Sequence, residues 1–264
     1  MRWACRIAAF LAAVPLQAWA ASICEFPHPR LVVQFHPSAR ESFSLSDIDQ
    51  ALGKGVSAVE LDLRLRASDG VVVCSHSRRD LERRPTFEQA LDRVPVFQGA
   101  SRTVQRDGFQ FFLVLDFKER SPALYDGVVA ALRERAARWS TSGDDGVPRG
   151  VTVIASGARA GLMARIPAAT LDSLCIVEGM DYAGRILDRS PEPRRTFQWV
   201  AIQHPMERGR VRSLHHGTDL AGRGAFNVRV YDAHGAIEWC AASGVDAVNA
   251  DRGEIVRAVR LARP

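Results

Sequence analysis

Lysine is almost missing from this chain. Of its 35 lysines and arginines only Lys54 and Lys118 are lysine, and no basic block is interleaved with aromatic residues. That pattern excludes the basic, stacking groove of a nucleic-acid binder. The formal charge of +5 reads mainly as arginines spread over solvated faces, and it is compatible with a phosphate-bearing substrate or an anionic surface. Long apolar runs are missing beyond residue 20, so no segment there is suited to span a bilayer as a helix. The cysteines lack the close spacing of a zinc site. No glycine-rich dinucleotide fingerprint follows the first apolar segment. Neither GxSxG nor HExxH occurs, which removes support for a serine hydrolase or a zinc peptidase.

What is present begins with an export signal. Arg2 and Arg6 make a basic start, residues 7–16 are apolar but interrupted by Pro15, and Ala18-Trp19-Ala20 is a small-x-small cleavage site. Residues 1–20 therefore read as a signal peptide, and residues 21–264 as a single domain that is secreted or periplasmic. Ile23 before Cys24 is too large for a lipoprotein cleavage site. Cys24, Cys74, Cys175 and Cys240 remain. Four cysteines allow three disulfide connectivities in an oxidising compartment, but three of them sit in apolar segments suited to buried thiols. Both states stay open, as does the oligomeric state.

Apolar β-like runs alternate with helical runs eight times. Strands are expected at residues 30–35, 58–65, 109–117, 151–155, 174–177, 199–202, 227–231 and 246–249. Helices are expected at 44–52, 86–93, 124–139, 158–166, 181–187, 206–214, 236–242 and 253–262. Residues 71–75 should fold back on the second strand after the Asp69-Gly70 turn, and 95–108, 140–149 and 190–195 read as polar excursions. Such alternation calls for parallel strands joined by helical crossovers. The length suits a single-domain (β/α)8 TIM barrel, with a doubly wound open sheet as the alternative.

In a barrel of this kind chemistry gathers at the C-terminal ends of the strands. Those positions hold His36, Glu60 with Asp62, Asp116 with Lys118, and His76 on the hairpin. Glu60 and Asp62 are two apart and project from one face of a strand, while Val59, Leu61 and Leu63 fill the other. Side-by-side carboxylates need neutralising, and a hard cation with oxygen ligands does so. The bland alternatives are solvent-facing acids, loop histidines, and an Asp116–Lys118 ion pair that merely closes a strand. Taken together, the six groups suit metal-assisted phosphoryl transfer. One imidazole accepts the attacking proton, the other protonates the leaving oxygen, and Lys118 stabilises charge on the phosphorus oxygens. Gln203, Tyr231, His204 and Glu178 lie near other strand ends and are weaker candidates; His215 and His216 read as surface residues.

The segments LVVQFH, GVSAVELDLRL, SDGVVVCSH, RPTFEQAL and FFLVLDFK, with FNVRVYDA and GVDAVNADRGEIV near the end, resemble the PLC-like phosphodiesterases of TIM-barrel fold. That group includes glycerophosphodiester phosphodiesterases, and the chain is also similar to the related sphingomyelinase D enzymes. The resemblance implies a phosphoric diester hydrolase in which Glu60, Asp62 and Asp116 hold one Mg²⁺ or Ca²⁺ and His36 and His76 form the acid–base pair. Pro37 and Ser77 stand where glycerophosphodiesterases carry Arg-Gly and Asp, so Arg40 is the candidate replacement for a phosphate-binding arginine. Gln203 and Tyr231 are further substrate-binding candidates. The expected substrate is a glycerophosphodiester or a phospholipid headgroup, with peripheral membrane contact compatible with it and no nucleic acid. Attack by water and attack by a substrate hydroxyl, giving a cyclic phosphate, both stay open. The rival reading is an inactive barrel that binds a phosphorylated ligand or an envelope partner.

Overall fold

The structure, a computed structural model, describes residues 31–36, 43–94, 111–142, 148–158, 175–177, 179–182, 185–187, 199–203, 227–231, 233, 235–250 and 253–262. The proposed signal peptide, Cys24, Arg40, the excursions at 95–108 and 190–195, residue Glu178, all but the first residue of the helix expected at 158–166, the helix expected at 206–214, and His204, His215 and His216 lie outside those residues.

The chain enters through β1 (Val32–Phe35), α1 (Leu45–Gly53), β2 (Ala58–Leu65) and β3 (Val72–Cys74). A 3₁₀ turn at Leu81–Arg83 leads to α2 (Phe87–Leu91), β4 (Phe111–Phe117) and α3 (Pro122–Trp139). Then come β5 (Ser140–Ser142), β6 (Pro148–Gly157), β7 (Cys175–Val177), β8 (Gly179–Tyr182), β9 (Arg185–Leu187) and β10 (Trp199–Gln203). The chain ends with β11 (Asn227–Tyr231), α4 (Ile237–Ala242), β12 (Ala247–Ala250) and α5 (Ile255–Ala262).

The parallel pairing runs as one series from β7 round to β8. β1 pairs with β2, β2 with β4, β4 with β6 and β6 with β7; β8 pairs with β10, β10 with β11, β11 with β12, and β12 with β1. Only residue 178 separates β7 from β8, so these two segments act as the halves of one stave. Having the first strand between the second and the last excludes the doubly wound alternative and gives the eight-stave barrel. β3, β5 and β9 are antiparallel flaps on β2, β6 and β8.

Two expectations are corrected. The described residues of the helix expected at 181–187 are strand: 181–182 end β8 and 185–187 form β9, paired antiparallel with Asp181 opposite Ile186 and Tyr182 opposite Arg185. The segment is too short for its apolar period to separate helix from strand. Residues 140–149 are not wholly a loop, because β5 pairs with the start of β6, Ser140 opposite Gly150. Pro148, which cannot donate to a ladder, sits at the first position of its strand, where it is tolerated.

Alternation sorts the staves into two faces. Val33, Phe35, Val59, Leu61, Leu63, Leu113, Leu115, Val153, Val228, Val230 and Val248 pack outward in the layer that also holds Ile48, Leu124, Ile237 and Ile255 of the helices. Val32, Ala58, Phe112, Val114, Ile154 and Ala247 form a separate buried cluster on the other face, which plugs the lumen. Further along the same inward faces the residues turn polar, beginning with Gln34, Glu60, Ser156, Arg229 and Asn249, all buried. The cylinder is therefore solid at one end and carries its charges toward the other.

Candidate active site

Each charged group at the mouth is placed by strand register. β2 and β4 align Asp62 with Asp116 and Glu60 with Val114, so two acids stand side by side at neighbouring stave ends. Lys118 follows β4, and its backbone N–H donates to Leu63 O at 3.1 Å, which folds the ammonium back over both acids. Lys118 Nζ is 2.9 Å from Asp62 Oδ1 and contacts Asp116 Oδ2. His36 follows β1, with its N–H on Ala250 O at 3.3 Å. Its Nε2 lies 3.6 Å from Glu60 Oε1 and 3.8 Å from Asp62 Oδ1. His76 arrives on the β2–β3 hairpin, where Ser75 N donates to Asp62 O at 2.8 Å. His76 Nδ1 is 3.1 Å from Asp62 Oδ2, and the two imidazole centroids stand 6.5 Å apart, edge to face.

The hairpin is held from outside the site. Arg64 donates from Nη2 and Nε to the His76 carbonyl at 2.8 and 3.2 Å. Glu119 lies 3.6 Å from Arg64 and 3.4 Å from Arg78, and accepts Leu65 N–H at 2.9 Å. Behind it, α2 begins with a capping box: Gln89 N–H donates to Thr86 Oγ1 at 3.2 Å and Thr86 N–H to Gln89 Oε1 at 2.9 Å.

Charge is compensated inside the group. Burial pushes the Glu60 carboxyl above its usual range, and His36 and then Arg229 oppose it only in part. For Asp62 burial acts the same way, yet His36, His76 and Lys118 outweigh it and hold the acid well below the carboxylate range. Burial disfavours the His36 cation, but Glu60 and Asp62 prevail and raise the imidazole to about 9. Burial likewise works against Lys118, which Asp116 and Asp62 hold above its ordinary value.

Three buried polar atoms around this spot, Gln34 Oε1, His36 Nε2 and Asp62 Oδ1, have no well-aligned hydrogen bond. Oxygens of Glu60, Asp62 and Asp116 lie within 4.8 Å of one another, as do ligating atoms of His36, Asp62 and His76. An all-oxygen triad with the buried Gln34 Oε1 and His36 Nε2 left without hydrogen bonds beside it fits a hard divalent cation. Gly157 completes the cradle: its φ is +67°, and a Cβ there would collide with Asp116 Oδ1.

The structure thus brings together His36, Glu60, Asp62, His76, Asp116 and Lys118. Tyr231, partly exposed, ends β11 in register with Gln203 at the end of β10, whose side chain is outside the described set. Gln34, Ser156, Arg229 and Asn249 are additions that the sequence reading does not contain. The signal is there for Arg229, since the flanking Val228 and Val230 are core residues and alternation sends the residue between them to the opposite face. Cys74 and Cys240 are buried free thiols.

No protein-family model matches the chain, and no curated protein matches it either. Solved structures do. A glycerophosphodiester phosphodiesterase from Parabacteroides distasonis is 16% identical with a TM-score of 0.52, covering 87% of this chain and 96% of its own. A Ca²⁺-dependent phosphatidylinositol-specific phospholipase C from Streptomyces antibioticus is 13% identical with a TM-score of 0.58, covering 88% and 97%. A calcium-dependent phosphoinositol-specific phospholipase C from Pseudomonas sp. is 10% identical with a TM-score of 0.57, covering 88% and 90%. At these identities the shared property is the fold: this chain is a (β/α)8 barrel of the kind in which those phosphodiesterases and phospholipases are built.

Proposed function

We propose that this protein is an exported, divalent-cation-dependent phosphodiesterase acting on a glycerophosphodiester or a phospholipid headgroup. The observation that carries the reading is the convergence of two imidazoles, three carboxylates and an ammonium at one end of the barrel. The barrels to which the chain is similar include a glycerophosphodiester phosphodiesterase and two phospholipases C, which supports the same substrate class.

Glu60, Asp62 and Asp116 would hold the cation, and when bound it would supply charge to a non-bridging phosphate oxygen. The protein's own groups do the rest. Asp62 Oδ2 accepts from His76 Nδ1–H, which leaves His76 Nε2 to take the proton from the attacking hydroxyl of water or of the substrate. As the new P–O bond forms, the bond to the leaving oxygen breaks. His36 gives that oxygen its proton, and the raised affinity of its ring for a proton suits the role of acid. Lys118, already paired with acids, offsets charge on the phosphoryl oxygens.

The test is release of headgroup from glycerophosphocholine, glycerophosphoinositol and lysophospholipids. Activity should vanish with chelator, return with Ca²⁺ or Mg²⁺, and fall by ~100-fold or more in His36→Ala and in His76→Ala. Full activity in chelator or in His36→Ala would sink the mechanism. Inactivity on the whole panel would favour a phosphate-ligand binder.

A further inference from the structure

Arg229 is a cation that the chemistry above does not use, yet it is among the most deeply buried charges near the site, 3% exposed at the centre of β11. Its Nη1 lies 3.3 Å from Glu60 Oε2 and 3.3 Å from Asn249 Oδ1, and its Nη2 is 3.5 Å from Ser156 Oγ. The same Glu60 oxygen also accepts from Gln34 and, at 3.4 Å, from Asn249 Nδ2. Donors from three staves, β1, β11 and β12, therefore converge on Oε2, while Oε1 faces His36 at 3.6 Å. The carboxylate is fixed at one oxygen and open at the other.

We infer that Arg229 is a positioning residue for cation binding. It pins the inner oxygen of Glu60, so that one defined oxygen is presented to the ion, and it adds a permanent positive charge beneath a site meant for an anionic diester. A planar guanidinium bridges Glu60, Asn249 and Ser156 at once, which an ammonium at the same position cannot do. This rests on the reading of Glu60, Asp62 and Asp116 as the ion's ligands.

The test titrates the chelator-stripped full chain with calcium chloride and with magnesium chloride alone, following heat of binding and the cation-induced rise in melting temperature. Groups that orient a ligating side chain commonly matter by ~10–100-fold in metal affinity. Arg229→Met and Arg229→Lys should each bind at least ~10-fold more weakly than wild type, with lysine recovering more of the cation-free melting temperature than of the affinity. Affinity within about twofold of wild type in both variants, whatever happens to the cation-free melting temperature, overturns the inference and leaves the cation reading intact. A wild-type protein that binds neither ion overturns both. Should Arg229→Met fail to fold, Arg229→Lys, which keeps a positive charge but loses the planar fork, carries the test alone. Weaker ion binding in that variant supports the inference, and unchanged binding overturns it.

Discussion

The mouth of the barrel works as a balance of neighbouring charges, and His36 shows its consequence most directly. Its ring is raised from 6.5 to about 9 because Glu60 and Asp62 outweigh the cost of burial. A group that binds its proton more tightly when folded stabilises the fold fully below its unfolded value. That contribution is lost as the pH rises through the folded value. In chelated protein the unfolding free energy from urea titrations should therefore fall between about pH 6.5 and pH 9, by an amount on the order of 3 kcal/mol. His36→Gln should flatten that segment of the curve; an equally steep fall in the variant would locate the titration elsewhere. Gly157 gives a second test at this scale. Its φ is +67°, and an added methyl carbon would collide with Asp116 Oδ1 and the Phe117 carbonyl oxygen. Gly157→Ala must therefore strain the backbone and displace the acid. A loss of about 1–3 kcal/mol in stability is expected, together with a smaller rise in melting temperature on adding Ca²⁺. His36, His76 and Asp116 are legible in the sequence because each stands at or near the end of a short apolar run, and Glu60 and Asp62 because they interrupt one, two residues apart. For Arg229 alternation marks only the face, and for Asn249, Gln34 and Ser156 not even that stands out, because one polar residue inside a strand shows its purpose only when the opposite wall is known.

Elements are most legible where local chemistry is strong. Ser44 precedes α1 and its N–H donates to Asp47 Oδ2 at 3.0 Å, Thr86 and Gln89 close their capping box, and Gly244 takes φ +77° after α4. All three boundaries follow from residues within one turn. Thr86→Ala should cost about 1 kcal/mol, seen as a lower melting temperature. The segment leading into α2 touches the hairpin that carries His76, through Cys74 N–H on Pro85 O at 2.9 Å, yet the helix makes no part of the mouth, so ion affinity should stay at the wild-type value. A change in affinity would mean that the hairpin shifts with its helix. The β8–β9 hairpin reads as helix in the sequence for a physical reason. Its strands are too short to display a period, and what holds β8 is pairing with β10, a stretch separated from it by many residues.

For the whole molecule the decisive feature is the seam between β1 and β12. Four residues align there, from Val32 with Ala247 to Phe35 with Ala250, and α5 covers it with Ile255, Ala258 and Val259, all buried. A chain ending at residue 252 would bare that seam. It should lose cooperative unfolding and the slow amide exchange of β1, and normal exchange in the shortened chain would show that the ring closes without its last helix. Alternating apolar runs, caps and glycines, all local, determined by themselves that this protein is a run of strands and helices, and which residues end the strands. The count of eight alternations already pointed to a barrel, but which strands close it came only from tertiary structure, because the partner of the first strand is the last one and one stave comes as two segments, β7 and β8. The same closure set one arginine against Glu60 from a distance of 169 positions, since a side chain in the lumen meets whatever the far wall offers and nothing in its own neighbourhood specifies that.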